Sequence, residues 1–241
     1  MSRAKLYYLP GICWHITHRC HNRDFLLKFS KDRKRWLYWL FQAKKKYGLC
    51  ILNYAVTSNH IHLLVNDDGR RHVIPRSILL TASRTAREYN QRKSRRGAFW
   101  EDRYHATAIE SGKQLNQCMA YIDLNMVRAG RVGHPAEWPS CGYNEIVSNR
   151  QRYRLIAIEK LLELLHIEDR ESLKKFYTEW IESMLESTKL ERESRWTESI
   201  AVGKRDFVET IKARLGIRAY YRDIEELQGS FVLKELGRPF K

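Results

Sequence analysis

The chain has 241 residues, 43% of them hydrophobic and 12% aromatic, and 44 Lys and Arg against 28 Asp and Glu give it a net charge of +16. Seven Trp, 13 Tyr and 8 Phe beside 5 Pro and 12 Gly exclude a disordered basic tail and a collagen-like chain, since those compositions lack the apolar area to offset chain entropy. No apolar run approaches the roughly 18 residues of a membrane span. The first fifteen residues also lack the apolar core of a signal peptide. A cytoplasmic protein with no membrane partner is expected, and its five scattered cysteines (Cys13, Cys20, Cys50, Cys118, Cys141) read as reduced thiols.

The charge is uneven. Residues 1–149 hold 25 Lys and Arg against 11 Asp and Glu, and residues 150–241 hold 19 against 17. Such a basic field attracts polyanions, and nucleic acid is the commonest in the cytoplasm. In chain order, the β-formers of residues 12–19 predict a first strand after Pro10-Gly11. Ser30–Tyr47 has helical spacing, with Gly48 where a helix end favours positive φ. Residues 49–56 and 60–65 are two strands around a Thr57-Ser58-Asn59 turn. A helix over 75–91, a strand over 98–109 and a helix over 111–129 capped by Ser111 follow. The order β-α-β-β-α-β-α is the ferredoxin-like split βαβ arrangement, an α+β fold with a largely antiparallel sheet in which the first and third strands are central.

Residues 150–241 read as a second unit, a mainly α-helical extension. Amphipathic helices are expected over 155–167, 173–190 and 206–215, and the ending after Tyr220-Tyr221-Arg222 is compatible with helix or strand. The expected division is thus 1–149 and 150–241.

The most informative segment is Asn59-His60-Ile61-His62. Residues two apart on a strand share a face, so the imidazoles of His60 and His62 lie side by side, as a shared metal ion requires. Two same-face histidines are also common on an ordinary polar sheet face. The helix at 111–129 supplies Tyr121 and Asn125, four apart on one helical face. If that face packs on the sheet, Asn125 completes a donor set with His60 and His62 while Tyr121 stands beside it. Two imidazoles and one amide, without a thiolate, suit Mg²⁺ or Mn²⁺, and Mn²⁺ better.

These pieces, with the strand Ala98-Phe-Trp-Glu-Asp-Arg-Tyr-His-Ala-Thr, the helix Tyr121-Ile-Asp-Leu-Asn-Met-Val-Arg-Ala-Gly and Trp138-Pro-Ser-Cys-Gly-Tyr143, resemble the small tyrosine transposases of the HUH superfamily. That group includes the REP-associated and insertion-sequence-200-like enzymes. The resemblance spans about residues 5–147. It implies that His60 and His62 are metal ligands, that Asn125 occupies the place of a third polar ligand, and that Tyr121 is the nucleophile. It further implies cutting and rejoining of single-stranded DNA, often beside a hairpin, by a monomer or by a homodimer that exchanges the nucleophile helix.

Further substrate contacts are expected from position. Arg19, Asn22 and Arg23 follow the first strand. Lys93, Arg95 and Arg96 precede Phe99 and Trp100, a combination offering phosphate contacts and a stacking surface. Arg103, Tyr104 and Arg128 lie close to motif elements, although Arg128 also suits a helix C-terminus. His15, His18 and His21 read as scattered polar histidines. The alternative to a transposase is a non-catalytic DNA or RNA hairpin binder that retains the fold. A histidine-triad hydrolase is disfavoured, because its next histidine position is Leu64.

Overall fold

The computed structural model describes residues 9–148, 153–187 and 191–234. Strand β1 (Cys13–Arg19) leads through a loop to α1 (Ser30–Tyr47), which ends on Gly48 at φ 74°, a left-handed conformation open to glycine at little cost. Strands β2 (Cys50–Val56) and β3 (His60–Asn66) form the expected hairpin. Helix α2 (Val73–Arg92), β4 (His105–Ile109) and α3 (Lys113–Asp123) follow, then one more turn, α4 (Asn125–Arg128). Two expectations shift. The fourth strand is shorter than 98–109, with Trp100 making only an isolated bridge to Cys20. The N-cap of α3 is Gly112 at φ 72°, not Ser111, and no side chain caps it.

The four strands lie in the order β2-β3-β1-β4, all antiparallel, with β1 and β3 central as a ferredoxin-like sheet requires. Register then sorts the side chains. Thr17 pairs with both His62 and His105, so Thr17, His15, His60, His62, His105 and Thr107 share one face. Trp14, Ile16, His18, Ile61 and Leu63 face the other way. Helix α2 covers that second face: His18 stacks on Trp100 at 4.2 Å, and Trp100 Nε1 donates to the carbonyl of Ala82 at 3.0 Å. Helix α3 covers the polar face, where Asn53 Nδ2 donates to the Met119 carbonyl at 3.2 Å.

The C-terminal part adds strands to the mainly α-helical extension expected. Helix α5 (Tyr143–Val147) precedes it, and α6 (Ile158–Leu165), α7 (Arg170–Ser187), α8 (Arg195–Glu198) and α9 (Arg205–Leu215) dominate it. Yet β5 (Ser199–Gly203) joins β4 in parallel, and the hairpin of β6 (Ile224–Leu227) and β7 (Ser230–Lys234) continues the same sheet to seven strands. Within the described residues the ending left open after Tyr220 is therefore a strand hairpin. Gln228 and Gly229 at φ 52° and 71° make its two-residue turn. Residues 188–190 of the predicted helix, and the 149/150 boundary, lie outside the described residues.

Helix α7 is tied to α3 through a buried carboxylate. Asp123, 1% exposed, accepts from Tyr177 Oη at 2.6 Å, Asn53 Nδ2 at 2.9 Å and the Tyr143 amide at 3.1 Å. Burial pushes its carboxyl up to about 6 against these three donors, which pull it down. A side chain on Gly142 would collide with Asn53 Oδ1 at 1.9 Å, so the loop before α5 approaches β2 only as glycine.

Tyr177→Phe removes one donor to the buried carboxylate, and a loss of about 1–3 kcal/mol is expected in urea unfolding. A carboxyl already raised in the folded state rises further without that donor. The loss should therefore be larger at pH 8, where Asp123 is ionised, than at pH 5; an equal loss at both would mean that Asp123 stays protonated throughout.

His18, 8% exposed, is held down to about 4 by burial, against the opposing hydrogen bond to the Asp102 carbonyl. A depressed imidazole stabilises the fold above its unfolded value near 6.5, and that contribution fades as pH falls towards 4. His18→Phe keeps the stack on Trp100, so its acid destabilisation should be smaller than the wild type's by up to about 3 kcal/mol, measured by denaturation across that window.

Candidate active site

The polar face of β1, β3 and β4 carries a chain of imidazoles whose proton positions follow from one fixed acceptor. The carbonyl of Trp196 on α8 can only accept, so His15, with Nδ1 2.8 Å away, donates from that nitrogen. His15 Nε2 then holds a lone pair, and His62 Nδ1, 2.9 Å from it, carries a proton and donates to it. His62 Nε2 is left unprotonated. Thr107 Oγ1 donates to the Ser199 carbonyl at 2.7 Å and lies 3.2 Å from that of Trp196.

The same argument fixes His60. Thr57 Oγ1 gives its own proton to the His60 carbonyl at 2.8 Å, so towards His60 Nδ1, 2.9 Å away, it accepts. Asn59 Oδ1 accepts from the same Nδ1 at 2.7 Å. His60 Nε2 is therefore the free nitrogen, and it lies 3.0 Å from His62 Nε2. Two lone pairs face each other at that distance with no proton between them. Such a pair is repulsive unless a cation sits at its focus, and neutral imidazole nitrogens with their far N–H groups anchored are the usual form of metal-ligating histidine.

Asn125 completes the focus. Its Nδ2 lies 3.0 Å from His62 Nε2, and half a turn of the amide presents Oδ1 instead. Among the described residues no group of three or more His, Cys, Asp and Glu is poised for a metal. The fitting donor set is two imidazoles and one amide oxygen, which suits Mg²⁺ or Mn²⁺.

Tyr121, 4% exposed, lies against this set, its ring centroid 5.8 Å from that of His62 and 6.2 Å from those of His15 and Trp196. The i→i−4 bonding runs on through Leu124 and Arg128, so Tyr121 and Asn125 keep their one-turn spacing across the α3–α4 break. The Arg128 guanidinium sits 4.2 Å from the Tyr121 ring centroid and donates to the Tyr121 carbonyl at 3.2 Å. Burial raises the Tyr121 phenol, while Arg128 and then Arg192 pull it down. Burial also lowers His60 to about 4 and His62 well below its ordinary value; Arg19 and Arg128 add to both shifts, and Arg192 to that of His60.

The remaining expected contacts divide. Arg19 pairs in register with His60 and lies 3.9 Å from Glu101. Asn22 and Arg23 are exposed and left-handed, at φ 53° and 61°. Lys93 and Arg96 are exposed, whereas Arg95 is half-buried and spans Asn90 Oδ1 and the Ala98 carbonyl, holding its own loop closed. Phe99 is buried and Trp100 faces His18, so this pair does not present the expected stacking surface. Tyr104 is half-buried, with its phenol raised to about 12 by burial, and Arg103 is exposed. Three site residues escaped the sequence: His15, Trp196 and Arg192, which pairs with Glu198. For His15 a signal existed in its strand position. The other two lie far along the chain.

No described helix is long and apolar enough to cross a membrane. No curated protein matches the sequence. One solved structure, a REP-associated tyrosine transposase bound to a REP hairpin, is similar over 62% of this chain and 87% of its own, with 21% identity and a TM-score of 0.50. A second, a candidate transposase from Deinococcus radiodurans R1, is 14% identical over 54% of this chain and 96% of its own, with a TM-score of 0.35. The family described as IS200-like transposase matches residues 9–125, the stretch that holds β1 to β4, both paired histidines, Tyr121 and Asn125, and this part of the chain is similar to that family.

Proposed function

We propose that the protein is a single-stranded DNA endonuclease and strand transferase that acts through a covalent 5′-phosphotyrosine on Tyr121, with a divalent metal held by His60, His62 and Asn125. The observation that carries this reading is the pair of unprotonated Nε2 atoms, 3.0 Å apart, beside the buried Tyr121 ring. Similarity to a transposase bound to a REP hairpin supports hairpin-forming DNA as the substrate. Residues 1–149 hold the reacting groups, and residues 150–241 act as an extension that closes over them through Trp196 and Arg192.

A bound divalent metal would draw charge from the scissile phosphate and ease departure of the 3′ oxygen. Tyr121 Oη loses its proton to water and attacks the phosphorus, forming a Tyr–O–P bond as the P–O3′ bond breaks, and the 3′ oxygen takes a proton from water and leaves as a hydroxyl. Arg128 lies over the ring, where its charge favours the phenolate. Its planar donors suit a phosphate oxygen. One phosphodiester replaces another, so the step is nearly isoenergetic, and a second 3′-OH can reverse it onto a new strand without a nucleotide cofactor.

His60→Ala and His62→Ala should each abolish cleavage of a hairpin oligonucleotide, with Mn²⁺ supporting the wild type at least as well as Mg²⁺. Mn²⁺ binding followed by electron paramagnetic resonance should weaken at least tenfold in each variant. Undiminished cleavage in excess chelator would remove the metal from the scheme.

Tyr121→Phe deletes only the attacking oxygen. The variant should melt like the wild type and bind the same hairpin, yet yield no covalent protein–DNA species on denaturing gels, while Tyr104→Phe and Tyr143→Phe still yield it. Peptide mapping of the adduct to another residue would assign the nucleophile elsewhere. Tight binding without any adduct in the wild type would favour the non-catalytic hairpin binder.

A further inference from the structure

We propose that Phe25 and Phe29 form a stacking platform for unpaired bases of single-stranded DNA leaving the active site, an inference that rests on the nuclease reading above. The two rings are 59% and 58% exposed, which is unusual for phenylalanine. Their exposure is built in. Lys28 N donates to the Phe25 carbonyl at 3.1 Å, closing a turn whose inner residues, Leu26 and Leu27, are buried. The leucines take the core positions and the phenylalanines are turned out on either side.

Cations lie beside the Phe29 ring. Lys28 Nζ and Lys93 Nζ lie 5.9 and 5.6 Å from the Phe29 centroid, on segments far apart in sequence. Arg23, Lys31 and Arg96 are exposed on the same two segments. The acidic residues there are Asp24, which is exposed, and Asp32, which is buried and paired with Arg92. Apolar rings beside positive charges that outnumber the acidic ones suit a ligand that carries both flat apolar faces and negative charge. Single-stranded DNA has both, whereas a duplex hides its base faces within its own stack. Trp100, the ring expected from sequence to serve this purpose, is occupied by His18.

The platform is joined to the metal-binding pair by hydrogen bonds through one residue. Asn59 Oδ1 accepts from His60 Nδ1 at 2.7 Å, and Asn59 Nδ2 donates to the Arg23 carbonyl at 3.2 Å. Backbone bonds from Cys20 N to the Asn59 carbonyl (2.7 Å) and from Leu27 N to the Ser58 carbonyl (2.9 Å) lock the two loops together. Asn22 and Arg23 hold consecutive left-handed conformations, at φ 53° and 61°, that non-glycine residues adopt only at a cost. A strand lying across His60 is thereby directed over Arg23 towards Phe25 and Phe29.

The test uses the full chain and a DNA hairpin with a flank of about ten thymidines, beside the same hairpin with an abasic flank, by fluorescence anisotropy. Phe25→Ser and Phe29→Ser should each weaken binding of the thymidine flank about 5- to 150-fold, leave the melting temperature and the salt slope unchanged, and leave the abasic flank unaffected. Phe25→Trp and Phe29→Trp should bind like the wild type. Wild-type affinity in the double serine variant, equal losses on both flanks, or failure of tryptophan to substitute would each overturn the platform. If the wild type forms the Tyr121 adduct while the double variant binds normally, only the platform fails. If the wild type neither binds the hairpin nor forms the adduct, the nuclease reading fails with it.

Discussion

The His62 imidazole is gripped at one nitrogen so that the other stays unprotonated, and the geometry around the site follows from that constraint. The grip begins at the Trp196 carbonyl, 181 residues along the chain from His15, which it fixes. A carbonyl cannot donate, so the direction of each proton in the Trp196–His15–His62 chain is set from that end. Antiparallel register brings the partners together: Thr17 lies opposite His62, which leaves His15 its diagonal neighbour, within reach of a long planar side chain. The rings lie nearly parallel, 12° apart, with centroids separated by 5.1 Å. A slip of one residue in β1 would send His15 to the α2 face and release His62 to rotate.

Placing Tyr121 at this focus requires α3 to be held from both sides. Towards the sheet, Asn125 reaches His62. Asp123 takes a donor from β2 on the same sheet, and from outside it donors at the start of α5 and on α7. A buried carboxylate with three donors specifies geometry more than it stabilises, because each bond is offset by desolvation of the charge. Helix α7, outside the family match, thus fixes the rotation of the helix inside it.

Much of the frame was legible because it rests on local periodicity. Ser30–Tyr47 shows a helical stripe and ends on a left-handed glycine, and His60 and His62 share a face by strand geometry alone. What escaped depends on distant partners. His15 reads as one of several scattered polar histidines, whereas its partner sits across a register that the sequence does not display. Strand β5 carries no alternation because all five of its residues are buried, so Ser199–Gly203 offers no period to read. Trp100 and Phe29 look alike in sequence, each an aromatic near basic residues. Whether such a ring turns inwards depends on which neighbour fills the core, here His18 with α2 for one and Leu27 for the other.

The positive charge around the site has several effects from one field. Arg19 and Arg128 lower both paired histidines and Arg192 lowers His60, which helps keep their Nε2 lone pairs free at neutral pH. Arg128 and Arg192 also pull down the Tyr121 phenol that burial raises, favouring the nucleophilic form. The same guanidiniums attract phosphate. They oppose a divalent cation, however, until an anion is present to offset them. On the proposed reading metal and DNA phosphate would each strengthen the binding of the other, and because Arg19, Arg128 and Arg192 come from β1, α4 and the segment before α8, that coupling would depend on the extension remaining folded against the sheet.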